Sequence, residues 1–303
     1  MAKTDLSIII VNYNSKDYLN KCVHSIKRSD TKRINYEIIV VDNASSDGSQ
    51  EEILDLSRRY KIKPVLSKTN LGFSKGNNLG VKKSSGRYVL FLNPDTMLEE
   101  KALKRAFNFM EENPQVGVVG GYLYLESKEL DNAAHRGFPT PWNAISQFTG
   151  LRAMFPHSKI FAGYTMGWIL ENPEPHEIDA TTGAFFFVRR EVGESLGWWD
   201  EEYFMYGEDL DFCYRAKNAG WKIMFLPEVR VLHYGGVSAG IRKHITKKST
   251  ASRQTRIRSA SASTEAMRIF YRKHYKDKYP AWLTKAVLLG VKCLEEMRRR
   301  RIN

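Results

Sequence analysis

YEIIVVDNASSDGS, running from Tyr36 to Ser49, is the stretch whose reading decides the fold. Four consecutive β-branched residues make its first part too apolar to alternate, which is the habit of a parallel strand covered on both faces. The run then breaks into Asp, Asn, Ser and Gly, residues that turn the chain and cap a following helix. Similar runs stand at 6–11 (LSIIIV), 63–66 (KPVL) and 87–92 (RYVLFL), and helical patterns near 16–28, 49–60 and 74–84 separate the four. That alternation predicts βα units around a mostly parallel central sheet flanked by helices, an α/β fold. A helix near 99–112 and a strand region at 116–125 follow. Residues 126–178 read as irregular, rich in Pro, Trp and His, and are expected to face substrate. A strand at 184–189 (AFFFVR), a helix at about 207–219 and short strands at 222–226 and 229–233 complete the body.

A chain of 303 residues with 42% hydrophobic content suits one large domain, or a domain with an appendage. Its three cysteines, Cys22, Cys213 and Cys293, are widely spaced and lack a C-x-x-C pair, which argues against a disulfide framework or a structural zinc site. A cytoplasmic setting is the simplest expectation. The apolar stretch at 6–11 is too short for a signal-peptide core, and no apolar run approaches membrane-spanning length. The net charge of +13 is uneven: residues 242–303 hold 18 Lys and Arg against 4 Asp and Glu, so the rest of the chain is nearly neutral. A basic tail can meet nucleic acid, an anionic membrane face or a phosphorylated lipid, or it can be a solvated helical surface.

Ligands of open α/β sheets sit outside the carboxyl ends of the strands, and here those ends are polar. The first strand leads into Asn12-Tyr13-Asn14, the third into Asn70–Asn78 and the fourth into Asn93-Pro94-Asp95. Asp42, ending the second, can accept the imide proton of a pyrimidine or a ribose hydroxyl. Asn93-Pro94-Asp95 reads either as a plain type I turn or as an acidic turn whose carboxylate holds a hard cation against a diphosphate. Glycines 72, 76 and 80 fit neither the spacing nor the position of G-x-G-x-x-G, which excludes a dinucleotide-binding Rossmann enzyme. Further on, Tyr203-Phe204-Met205-Tyr206-Gly207-Glu208-Asp209-Leu210-Asp211 sets three carboxylates among aromatics. Glu208 and Asp209 either favour the positive end of a helix or serve catalysis, while Asp211 is placed to pair with Arg215 one turn on.

Taken together, VNYN (11–14), VVDNASSDGS (40–49), NLGFSKGNN (70–78), FLNPD (91–95), TTGAFFFVRR (181–190), the segment 198–221 with its GED triplet, and VLHYGG (231–236) resemble glycosyltransferase family 2. The likeness runs from Leu6 to about Gly236. It implies a GT-A fold over 1–240, with a nucleotide-sugar half (1–125), an acceptor half (126–240) and a basic extension (241–303). The NPD, MYGED and HYGG forms look most like rhamnosyltransferase-type and galactofuranosyltransferase-type members.

The resemblance implies roles for individual residues. Asp42 would bind the base, with Val11 and Tyr13 beside it, and Gly72, Asn77, Asn93 and Asp95 would complete the donor site. Asp95 and His233 would hold Mg²⁺ or Mn²⁺, although Asn93 replaces the carboxylate that usually opens this turn. Asp209 would be the general base and Glu208 its partner, with Thr182, Gly183, Trp199 and Tyr206 around the acceptor. An inverting transfer needs this division, because a base takes the acceptor's proton while a cation steadies the departing diphosphate. The implied donor is a dTDP- or UDP-sugar, dTDP-L-rhamnose leading, and the acceptor a cell-surface or polyprenyl-diphosphate-linked glycan.

Residues 240–262 are polar and basic and read as a flexible loop able to order over donor phosphates, with helices at 264–275 and about 281–300. Leu283, Ala286, Val287, Gly290, Leu294 and Met297 share one side of the last helix. That side suits either the body of the protein or an anionic membrane, the latter giving a peripheral enzyme at the inner leaflet. Nucleic-acid binding is not expected, since the charge is confined to the tail and no known module is present. A sugar nucleotidyltransferase would not need the Glu-Asp pair among aromatics.

Overall fold

The computed structural model describes residues 4–235 and 253–302. The first half follows the βα alternation: β1 (Leu6–Asn12), α1 (Lys16–Arg28), β2 (Tyr36–Asp42), α2 (Ser49–Tyr60), β3 (Lys63–Leu66), α3 (Gly72–Val81) and β4 (Tyr88–Leu92). Then come β5 (Thr96–Leu98), α4 (Ala102–Glu112), β6 (Val116–Tyr124), α5 (Pro141–Phe148), α6 (Leu151–Met154), β7 (His176–Glu177), β8 (Phe185–Arg189) and α7 (Arg190–Leu196). The described chain closes with α8 (Glu208–Asn218), β9 (Lys222–His233), α9 (Arg253–His274) and α10 (Ala281–Ile302).

One sheet runs in the order β3-β2-β1-β4-β8-β6-β9-β5, with β7 added on β9. The first four strands are mutually parallel. β8 enters antiparallel to both β4 and β6, so the second half of the sheet is mixed. β1 and β4 are buried on both faces, as their unbroken apolar runs require. α3 lies against β1 and β2, where Gly80 leaves room for Ile9; any side chain there would collide with it.

Three expectations from sequence change here. The two short strands at 222–226 and 229–233 are one long strand, interrupted by a register shift against Gly121 and Tyr122 where Pro227 has no N–H to donate. Part of the 126–178 stretch is ordered into α5, α6 and β7. Residues 253–262, expected to be a flexible loop, form the first turns of α9, while 240–252 lie outside the described residues, as does Gly236 at the end of the family likeness. The helical reading wins because α9 is held from below: Ala266, Ile269, Phe270 and Tyr271 join the main core, and His274 hydrogen-bonds Asp211 at 2.7 Å.

α10 lies along α9, with Leu283 and Val287 half-buried and Glu295 paired to Arg268. The apolar side proposed for lipid is thus turned inward at those two positions, while Ala286 and Gly290 are exposed. The side chains of Leu294, Met297 and Arg298–Arg301 lie outside the described set. Among the described residues, no helix is long and apolar enough to cross a membrane. All three cysteines are free.

Candidate active site

The carboxyl ends of β1, β2 and β4 open on a cleft of about 550 Å³, roofed by the 203–209 segment and by α9. Eleven of the residues expected to act there line it: Val11, Tyr13, Gly72, Asn93, Asp95, Thr182, Gly183, Tyr206, Glu208, Asp209 and His233. Three do not. Asp42 is fully buried, and its carboxylate accepts from Asn12 Nδ2, the Ser45 amide and hydroxyl, and Gln50 Nε2 at 2.6–3.0 Å. With all its capacity spent on holding the β2–α2 turn, it has nothing left for a base. Successive strand residues point to opposite faces, so its neighbour Asn43 faces the cleft instead. The Asn43 amide nitrogen donates to Gly72 O at 2.9 Å, and its Oδ1 is buried without a partner.

Asn77 is buried inside α3, where its amide donates to Phe73 O one turn back. Trp199 is 1% exposed and packs among Phe73, Phe91, Phe186 and Phe212, so it is core and not a sugar platform. Trp and Tyr are too alike in sequence for a reader to tell a wall from a core, and only contacts separate them.

Pairing of β5 with β9 places Thr96 opposite His233, which brings Asp95 to the histidine across a long stretch of chain. The imidazole Nδ1–H donates to Asp131 Oδ2 at 2.8 Å, which fixes the tautomer and turns Nε2 toward Asp95 Oδ1 at 3.5 Å. Nε2 is buried with no hydrogen-bond partner. Burial alone would lower the pKa of this ring, but the carboxylates of Asp95 and Asp131 outweigh it and push the value up to about 9. A carboxylate behind a histidine, with the other ring nitrogen orphaned and aimed at a second carboxylate, fits a divalent cation in place of the proton. Asp95 and His233 could supply two ligands, and no group of three or more His, Cys, Asp or Glu suited to a metal occurs among the described residues. Water and the donor's oxygens must complete such a site.

The second pole is the start of α8. Tyr206 and Gly207 both take positive φ (71° and 81°), a kink that aims the first turn of the helix into the cleft. Glu208 and Asp209 therefore sit at the helix's positive end and also face the ligand space, so the two readings of the sequence coincide. Asp211 is buried behind them, paired with Arg215 at 2.7 Å. Phe204 O accepts from the Phe73 amide at 2.7 Å just where Gly72, at φ +82°, has no side chain to obstruct it.

Sequence reading missed Arg136. Its backbone bridges to Ala180, and its guanidinium donates to Asp209 Oδ2 at 2.7 Å and to Thr181 O at 2.9 Å. This cation pairs with Asp209 and fixes the orientation of its carboxylate. Glu208 is pushed well above the ordinary carboxylate range, first by burial and then by the charge of Asp209, and its Oε2 has no partner. α9 contributes Gln254, Thr255, Arg258 and Ser259, with Arg258 over the Phe204 ring at 4.1 Å. The sequence gives no spacing that ties Arg136 or Arg258 to the site, only their charge.

A half-parallel nucleotide-binding sheet with an acidic turn at one strand end and a carboxylate pair across the cleft defines a glycosyltransferase of the GT-A fold. The chain belongs to glycosyl transferase family 2, whose family model matches residues 7–171, more than half its length. Among curated relatives, the rhamnosyltransferase WbbL of Escherichia coli K12 is 26% identical over 236 residues, covering 75% of this chain and 82% of its own. The N-acetylglucosaminyl-diphospho-decaprenol L-rhamnosyltransferase of Mycobacterium tuberculosis H37Rv is 23% identical over 255 residues, 78% of each chain. Among solved structures, GalNAc-T7 with UDP, GalNAc and Mn²⁺ superposes with a TM-score of 0.58 at 18% identity, over 77% of this chain and 44% of that one. Staphylococcus aureus TarS 1–349 in complex with UDP gives 0.51 at 18% identity, over 87% and 65%.

Proposed function

We propose that this glycosyltransferase moves a sugar, with inversion, from a nucleoside-diphosphate donor to a hydroxyl of a polyprenyl-diphosphate-linked or cell-surface glycan. L-rhamnose from dTDP-rhamnose is the leading donor, supported by two relatives named as rhamnosyltransferases. A UDP-sugar is the alternative, since the orphaned Asn43 Oδ1 can accept the imide N–H of thymine or uracil alike. The observation that carries the reading is that one cleft unites Tyr13 and Asn43, the Asp95–His233 pair and the Glu208–Asp209 pair.

Asp209, paired with and oriented by Arg136, takes the acceptor's hydroxyl proton as that oxygen attacks the anomeric carbon and the bond to the diphosphate breaks. Glu208, whose carboxyl burial pushes toward its protonated form, is placed to donate a hydrogen bond to an acceptor oxygen. Asp95 and His233 would hold Mg²⁺ or Mn²⁺, which supplies charge neutralisation at the departing diphosphate. Arg258 adds a second positive charge from α9 to a cleft whose Asn93-Pro94-Asp95 turn is one carboxylate short. Thr182, Gly183 and Tyr206 border the space left for the acceptor, and an inner-leaflet location follows if that acceptor is lipid-linked.

Asp209→Asn tests the assignment. Transfer from dTDP-rhamnose should fall by about 10³-fold or more, while stabilisation by dTDP and Mn²⁺ stays at the wild-type level. Turnover surviving within tenfold would remove Asp209 as the base.

A further inference from the structure

Residues 132–170 contain no Asp or Glu, although acids make up 34 of the 303 residues of the chain. The same segment holds five of the twelve exposed large hydrophobic side chains among the described residues: Trp142 (45%), Ile145, Met154 (69%), Phe155 and Ile160 (63%). They are neighbours in space as well as in sequence. Trp142 and Phe155 both pack their rings on Phe161, at 6.1 and 5.3 Å between centroids. Residues 153–157, Ala-Met-Phe-Pro-His, are exposed without a break, so the patch is a protruding tip and not a groove.

Two details fix the kind of partner. The Trp142 indole N–H donates to Ile160 O at 2.7 Å, so the ring presents only hydrocarbon outward and leaves no donor to dehydrate. Arg152 and Lys159 are the cations of the tip, with no acid near in sequence to offset them, and this complements anionic headgroups. Trp beside aliphatic residues and flanking cations is the composition of surfaces that seat at the boundary of headgroups and acyl chains. The excursion also springs from the cleft itself. Ala133 and Arg136 at its base line the cleft, and together with Tyr164 they line an adjoining cavity of about 670 Å³.

We propose that the 142–160 tip, seating Trp142, Met154, Phe155 and Ile160, is a membrane-insertion surface that docks the enzyme on an anionic bilayer. This deepens the reading of a lipid-linked acceptor, because the surface that meets the bilayer is continuous with the acceptor side of the cleft. The tail then adds long-range attraction, and the tip supplies apolar burial.

Full-length protein is sedimented with vesicles of phosphatidylcholine and phosphatidylglycerol. The double variant Met154→Asp/Phe155→Asp is expected to lose more than tenfold in partition coefficient, and Ile160→Asp to lose several-fold. Trp282→Asp/Leu289→Asp, on the exposed face of α10, should stay within twofold of wild type. Unchanged melting temperature and unchanged stabilisation by dTDP show that the variants fold. Wild-type binding by both tip variants, or loss confined to the α10 variant, overturns the proposal. So does light scattering that shows a wild-type dimer turned monomeric by Met154→Asp/Phe155→Asp without any vesicle binding, which would make the tip a contact between copies. Donor hydrolysis by the wild-type enzyme in vesicle-free solution reports separately on the transferase reading, so failure of one is distinguishable from failure of the other.

Discussion

The two sides of the cleft, proposed here for donor and acceptor, are built by opposite strategies. On the donor side, four parallel strands each deliver a polar turn to the same edge, and the turns lie within about ninety residues of one another. On the acceptor side, Asp209 is completed by Arg136 from 73 residues away, and at the border between the sides His233 is oriented by Asp131 from 102 residues away. The donor side is therefore readable as a series of local motifs, whereas the acceptor side exists only once β8, β9 and α9 have closed on it.

The largest expected effect bears on the aromatic core behind the cleft. Trp199→Ala should cost about 3–5 kcal/mol of stability in denaturant unfolding, the usual range for an emptied aromatic core site. Trp199→Phe should leave the acceptor KM unchanged; a KM shift without a stability loss would return this residue to the acceptor site. Next, Asp131→Asn is expected to weaken Mn²⁺ binding in the presence of dTDP by about 10–100-fold, measured calorimetrically, since it loosens the histidine from behind. Equal affinity would make Asp131 a mere structural partner. On the donor side, Asn43→Ala should weaken dTDP binding by about tenfold, near the 1.4 kcal/mol of one hydrogen bond to a buried acceptor. An effect of Asp42→Asn on dTDP binding larger than that of Asn43→Ala would reverse the assignment made from geometry.

The smallest effect concerns pH. Glu208 has a raised pKa in the folded state, so its contribution to stability is full below the ordinary carboxylate pKa and is lost as pH rises through the folded value. Glu208→Gln keeps the neutral shape without the cost of ionisation. Its melting temperature should match wild type in acid and exceed it by a few degrees at pH 8. A variant less stable than wild type at pH 8 would show that Glu208 is ionised and paired.

Most of the βα frame was legible because buried parallel strands announce themselves by unbroken β-branched runs, as at Ile38–Val41, and because Gly and Ser mark where they stop. The failures share one cause. Asp42 and Asn43 are adjacent acceptors at a strand end, and which one faces the ligand depends on the parity of the strand and on Gln50 and Ser45 reaching back from the next helix. The 253–262 segment looked like a loop because it lacks bulky apolar groups. It is helical because the continuation of the same helix carries Ile269, Phe270 and Tyr271 into the core.

By itself the sequence determined the sheet's parallel half, the polar edge proposed for the donor, the family, and the placing of Glu208 and Asp209 in a first helical turn. These are properties of contiguous residues, set by side-chain period and turn chemistry. Only the tertiary structure decided which carboxylate burial pushes toward its protonated form, which histidine nitrogen is left open, which aromatics are walls and which are core, and where the bare apolar tip stands. Each of those depends on what approaches from a distant part of the chain, since burial and the field of a remote charge do not exist until the fold brings them together.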